Sequence, residues 1–316
     1  MSAAPDDETA RLDDHQRNTE LLDAELPDRR FADERYLAWL YDANPLGRAY
    51  THGVDEGGRR VAHYALIPQR YRDRNGPADF VFSLNAVART GSQRRGYFGE
   101  MGRDIWGRAG EAGVRMVIGV CNVKSTWAVH KYGWRVTGPM PVRIVPPSPW
   151  PVPGVESYDV TPSFLDSPDF AELAEGLDES AAWQWTNCWT ASYLRWRLAA
   201  PNGAAFTVHR SPELVGISTV EHRAGVPIAV VLKLLPRHGR FGPIDGRPLI
   251  SAMCRHHRAP AALYAGHNRH VVVRGVPLPE RLKPVPLNLC VLSLDEDLDQ
   301  TTFQLDTFEL LDMDAY

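Results

Sequence analysis

Charge clusters at Asp6, Asp7, Glu8, Asp13 and Asp14, with few large apolar side chains nearby, so residues 1–30 read as a disordered acidic leader with at most one helical turn at Leu21 and Leu22. Tyr36, Leu37, Trp39, Leu40 and Tyr41 then suggest an amphipathic helix, stopped by Asn44-Pro45-Leu46-Gly47. Two strands follow, near 48–54 and 59–67, joined by the turn Asp55-Glu56-Gly57-Gly58. The apolar run from Phe80 to Ala88 predicts a further strand, and Arg89 to Phe98 a polar turn. Phe98, Met101, Ile105, Trp106 and Ala109 recur at helical spacing until Gly110 and Gly113 end the helix. A buried strand from Arg115 to Cys121, then Asn122, a short helix and Lys131-Tyr132-Gly133-Trp134 close this stretch.

Between 139 and 153 the pattern breaks. Pro139, Pro141, Pro146, Pro147, Pro149, Pro151 and Pro153 exclude a helix or central strand and predict a stiff connector, with Val142 to Val145 able to complete a strand first. Beyond it the chain echoes itself. Tyr36-Leu37-Ala38-Trp39 returns as Tyr193-Leu194-Arg195-Trp196, and Pro45-x-Gly47-x-Ala49-Tyr50-Thr51 as Pro201-x-Gly203-x-Ala205-Phe206-Thr207. The strand Val61 to Leu66 has a counterpart in Val215 to Val220. Matches in one order at a nearly constant offset indicate internal duplication. Leu287 to Leu294 and Phe303 to Leu311 then read as the last strands of the second copy.

Composition adds limits rather than identity. A formal net charge of −4 gives no general attraction to nucleic acid or to an anionic membrane, and neither is expected as a partner. Cys121, Cys188, Cys254 and Cys290 lie far apart with no CxxC pair, as buried free thiols in a reducing compartment do. With no signal peptide recognisable and no apolar run long enough to span a bilayer, a cytoplasmic location is expected. His256, His257, His267 and His270 with Cys254 have the residue types for zinc but not a zinc spacing, so no metal is expected. Trp189, Tyr193 and Trp196 fall on one helical face and read as core, or else as an aromatic wall for a ligand.

The chemistry concentrates in residues 79–134. A strand that ends in a glycine-containing turn and restarts as a helix aims backbone N–H groups and the helix dipole at one point, which suits phosphate or pyrophosphate. Arg89, Arg94 and Arg95 add charge there, and Gly96 lets a ligand approach the backbone; the alternative is a basic surface turn. Gln93-Arg94-Arg95-Gly96-Tyr97-Phe98 resembles the Gln/Arg-x-x-Gly-x-Gly/Ala signature of the GNAT acyltransferase superfamily, in its usual place between strand and helix. Asn122 after the next strand, and Gly133-Trp134 after a short helix, resemble that superfamily's Asn…Gly-Phe/Trp ending. Phe98 departs from the pattern, standing where Gly or Ala is usual.

The resemblance implies an α/β (α+β) fold class with two GNAT-like lobes, each a mixed, mostly antiparallel central sheet flanked by helices. Residues 31–145 would be the acyl-CoA-binding lobe, 146–160 a proline-rich linker and 161–316 a degenerate lobe, which has no such signature after the strand Ile228 to Leu235. It implies acyl transfer, most simply acetyl, from acetyl-CoA or another acyl-CoA to the amine of a small molecule by direct attack on the thioester. The co-substrate would lie along Ala86, Val87 and Ala88 and on the loop Gln93, Arg94, Arg95, Gly96, Tyr97 and Phe98, with Asn122 and Ser125 beside it. Asn122 is equally a strand-end turn residue. Many members place a tyrosine acid where this chain has Val129, which leaves His130, Tyr132 or water to protonate the thiolate and Asn122 to assist. Two alternatives stand beside this: a Fem-type aminoacyl-tRNA-dependent transferase, and a non-catalytic CoA-binding protein.

Overall fold

The computed structural model describes residues 5–150, 153–177, 182–239, 243–279 and 287–313. The first half runs α1 (Pro5–Glu25), α2 (Glu34–Asp42), β1 (Tyr50–Glu56), β2 (Arg59–Asp73), β3 (Gly76–Ala88), α3 (Tyr97–Glu111), β4 (Met116–Cys121), α4 (Val123–Lys131), β5 (Arg135–Pro139) and β6 (Val142–Val145). The second runs β7 (Glu156–Asp159), α5 (Pro162–Leu165), α6 (Pro168–Ala174), β8 (Thr186–Asn187), α7 (Ala191–Leu198), β9 (Thr207–Arg210), β10 (Leu214–Arg223), β11 (Val226–Pro236), β12 (Ile244–Asp245), α8 (Arg247–His256), β13 (Ala262–Asn268), β14 (Val271–Val272), β15 (Val276–Pro277), β16 (Asn288–Ser293) and β17 (Thr307–Glu309).

These strands build two mixed, mostly antiparallel sheets flanked by helices. The first has the order β1-β2-β3-β4-β16-β5, and the second β15-β6-β13-β11-β10-β9-β7. In each, an antiparallel hairpin, β2–β3 or β10–β11, is followed by a helix and a strand parallel to the hairpin's second arm, β4 or β13. The repeated sequence is thus a repeated structure. At its centre Trp39 and Trp196, one from each copy, stack with centroids 4.8 Å apart and an interplanar angle of 21°. Each indole N–H donates to the other residue's carbonyl, at 3.1 and 3.2 Å. Trp189, Tyr193 and Trp196 are all buried in this core, although Trp189 precedes α7 and Thr190 caps it.

The expected division at 146–160 does not partition the sheets. β6, from the first half, lies beside β13 in the second sheet, and β16, from the second half, lies between β4 and β5 in the first. Pro146, Pro147 and Pro149 follow β6 rather than a finished lobe, so the chain crosses before the connector begins. The expectation that Leu287 to Leu294 serves the second copy is likewise corrected: β16 pairs with β4 from Asn288↔Cys121 to Ser293↔Met116.

The leader is also corrected, since residues 5–25 form helix α1. Its cause is long-range. Leu21 and Leu22 are fully buried, and the buried guanidinium of Arg60 on β2 binds Asp14 at 2.5 Å, Asp55 at 2.6 Å and Asn18. Acidic side chains that discourage an isolated helix become the anions a buried arginine requires.

A second ionic centre fixes the C-terminal segment. Lys233 on β11 has 0% exposure and meets Asp312 at 2.6 Å and Glu309 at 3.1 Å, both equally buried. Burial opposes the ammonium charge, but the two carboxylates outweigh it and raise its pKa; burial likewise pushes the Glu309 carboxyl up against the pull of Lys233. Trp189 and Asn187 also donate to Asp312, each at 3.2 Å, and Tyr264 donates to Glu309 at 3.0 Å. Removing one member of a buried ionic centre strands the others. Lys233→Met is therefore expected to lose about 3–5 kcal/mol in denaturant unfolding; an unchanged midpoint would mean the carboxylates do not depend on the lysine.

Candidate active site

β3 and β4 pair only from Phe80↔Met116 to Ser83↔Gly119, then separate. β3 continues to Ala88 with β2 on its other edge, and the strand bulges where Asn85 and Ala86 face the single residue Tyr64. Asn85 takes a left-handed backbone there, φ 54°, a conformation Asn tolerates better than most residues. Its side chain donates to the Tyr41 hydroxyl at 2.8 Å, which in turn lies 3.0 Å from His63 Nε2. Burial, followed by the neighbouring Arg60 charge, lowers the His63 pKa to about 3, so this ring holds the bulge as a neutral partner. The splay opens a cavity of about 410 Å3, lined on β3 by Ser83 to Ala88 and on β4 by Gly119 to Cys121.

A second cavity, about 530 Å3, lies over the loop before α3 and is lined by Gln93 to Phe98 together with Trp127, Lys131 and Tyr132. Ala88, Phe98 and Ala128 line both cavities, so the two meet. Gly96 begins α3 with φ 90° and no side-chain cap, leaving the helix's first N–H groups to whatever occupies this cavity. Among the loop arginines, Arg95 pairs with Glu56 at 3.1 Å and Arg89 donates to the Arg60 carbonyl at 3.4 Å. Arg94 is exposed and lines the cavity. Phe98, the departure from the loop signature, packs against Tyr64, Trp106 and Tyr132 at centroid distances of 5.3, 5.9 and 5.5 Å. Gly99 makes room for this cluster, because a Cβ there would overlap the Tyr132 ring.

Solved structures with this architecture exist. A GCN5-related N-acetyltransferase from Anabaena variabilis superposes with a TM-score of 0.60 at 10% identity, over 90% of this chain and 71% of that one. Eis1 from Mycobacterium abscessus gives 0.56 at 11%, covering 90% and 72%, and a GCN5-related N-acetyltransferase from Kribbella flavida gives 0.56 at 12%, covering 89% and 68%. The chain has the GNAT fold. No protein-family model matches the sequence, and no curated protein matches it.

Within this GNAT fold the predicted residues separate by position on α4. Ser125, Ala128 and Val129 face the splay, while Trp127, Lys131 and Tyr132 face the loop cavity. Ala86, Val87, Ala88, Asn122 and Ser125 lie together in the splay, and Gln93, Arg94, Arg95, Gly96, Tyr97 and Phe98 in the loop cavity. Asn122 is both a turn residue and a lining residue: its Oδ1 accepts Ser125 N–H at 3.0 Å and its own N–H donates to Ser125 Oγ at 3.0 Å. The acid candidates stand apart from the splay. Tyr132 lines the loop cavity, not the splay, and exposed His130 lines neither, since neighbouring helix positions point apart.

What the splay does contain is a pair of thiols, Cys121 and Cys290, brought together by β4 and the exchanged β16. The neighbouring Cys290 side chain lowers the Cys121 thiol to about 6 and is itself held protonated; the Thr126 hydroxyl, 3.6 Å from the Cys121 sulfur, adds to the lowering. No local sequence signal joins residues this far apart. The histidines considered for zinc have separate partners instead: His256 meets Asp159 at 3.0 Å, His257 meets Ser218 at 2.8 Å and His267 meets the Leu305 carbonyl at 3.0 Å. A thiol near 6 is mostly thiolate at neutral pH, whereas burial pushes Cys254 up to about 11. Iodoacetamide followed by peptide mapping should label Cys121 at least about a hundredfold faster than Cys254 at pH 7, with a rate that levels off above about pH 7. A rate that climbs only near the ordinary thiol value would refute the depressed pKa.

Proposed function

We propose that the protein is an acyl-CoA-dependent N-acyltransferase that moves a short acyl group, most simply acetyl, to the amine of a small molecule. The meeting of the two cavities at Ala88, Phe98 and Ala128 carries this reading: one is shaped for a thin arm between diverging strands, the other for phosphates at a helix start. Acyl-CoA supplies an activated acyl carbon on a thioester. The edge of β3 from Leu84 to Ala88 offers the pantetheine arm a strand partner, and Arg94 with the first N–H groups of α3 holds the pyrophosphate. Leu26, at the end of α1, lines the splay, so the acceptor would approach beneath that helix. There its amine attacks the acyl carbon as the C–N bond forms and the C–S bond breaks, with proximity supplying much of the rate.

Proton traffic falls to the groups in the splay. With Val129 at the tyrosine position, the Cys121 sulfur, which lines the splay beside Cys290, would accept the proton from the attacking amine and pass it to the departing CoA thiolate. The acceptor's identity and a cytoplasmic setting belong to the proposal as well.

Ligand-dependent melting tests it. A ligand at about a hundred times its Kd stabilises by about 2.7 kcal/mol, a shift of several degrees for a protein of this size. A charged residue at Gly96 would be a poor control, because φ 90° strains any side chain there. Arg94→Gly is better: φ 65° disfavours arginine but not glycine, so charge is lost without loss of fold. Acetyl-CoA should raise the wild-type melting temperature, and Arg94→Gly should melt no lower unliganded yet shift less. No shift for wild type would remove the coenzyme reading. A shift without thiol release across an amine panel would leave a binding protein rather than an enzyme.

A further inference from the structure

Trp127 stands on α4 with 71% of its surface exposed, although most large aromatic side chains of the described residues are buried. Its position is not arbitrary. It lines the loop cavity together with Arg94, Arg95 and Gly96, and does not line the splay. Lys131, one helical turn on, places its ammonium 5.4 Å from the Trp127 ring centroid and 5.5 Å from that of Tyr132. An aromatic plane beside exposed cations, at the rim of a site suited to phosphates, is the combination that receives a nucleotide: the π-face takes the base, and the cations take its phosphates.

Resting on the function proposed above, we infer that Trp127 is the stacking platform for the adenine base of the coenzyme, and that Lys131 pairs with the ribose 3′-phosphate. The charges divide accordingly. Arg94 and the start of α3 serve the pyrophosphate, and Arg95 is held by Glu56, which leaves Lys131 for a phosphate further along the ligand. Lys131 meets aromatic rings rather than a carboxylate among the contacts of the described residues, so its charge is available to a ligand. The platform thus makes the protein selective for the phosphoadenosine end, where the splay reads only the arm.

Calorimetric titration of CoA, 3′-dephospho-CoA and pantetheine into wild type, Trp127→Ala, Trp127→Phe and Lys131→Gln tests this. Trp127→Ala should weaken CoA about tenfold, and Trp127→Phe should restore most of the loss. Pantetheine binding should not respond to either change. Lys131→Gln should weaken CoA about tenfold while leaving 3′-dephospho-CoA unchanged, erasing the wild-type preference between the two. Wild-type CoA binding that every variant preserves within about twofold would overturn the platform while leaving the coenzyme reading intact. Wild type that binds no CoA would overturn both. Trp127 is exposed, so its variants should melt with wild type, which separates lost stacking from lost fold.

Discussion

The two sheets meet through a pair of indoles that each satisfy the other. A buried indole N–H must find an acceptor, and here each tryptophan uses the carbonyl of its counterpart in the other copy. That reciprocity fixes a local two-fold relation between the halves, and the strand exchange obeys the same relation. β16 lies against β4 as β6 lies against β13. A chain cut in the proline connector would leave both β4 and β13 with an open apolar edge, so the halves depend on each other for their cores.

Duplication would give two equivalent splays, and the fold keeps one. In the second sheet β11 and β13 pair only from Ala229↔Ala262 to Val231↔Tyr264, as β3 and β4 do in the first. Beyond that point β17 pairs with β13, and the Glu309 carboxylate on β17 accepts the Leu234 N–H of β11 at 3.3 Å. The chain's own C-terminal segment therefore fills the gap, and Lys233 compensates its charge. Backbone groups that a ligand could satisfy in the first lobe are satisfied internally in the second, without any change in strand order.

Local features were legible in the sequence because local forces determine them. The strand, glycine turn and helix of residues 80–111, the α2 helix and the duplicated Tyr-Leu-x-Trp segments each follow from spacing and caps. What was not legible depends on partners distant in the chain. Helix α1 needs Arg60, and β16 alternates as well for one sheet as for the other. Trp127 has a polar-face position that periodicity treats as incidental. The placement of His130 and Tyr132 was hidden for a related reason: residue type alone favoured them, whereas one turn of α4 separates the face that lines the splay from the face that lines the loop.

Strand exchange also reaches the site itself. Alternation along β16 turns Cys290 toward the splay and Leu289 and Val291 toward a separate cavity of about 350 Å3 at the lobe boundary. Without β16, Cys121 would lose the side chain that lowers its pKa most, leaving Thr126 as the lesser influence. The second half of the chain, though its own splay is filled, thus supplies the first with both a sheet strand and a thiol that lines its splay.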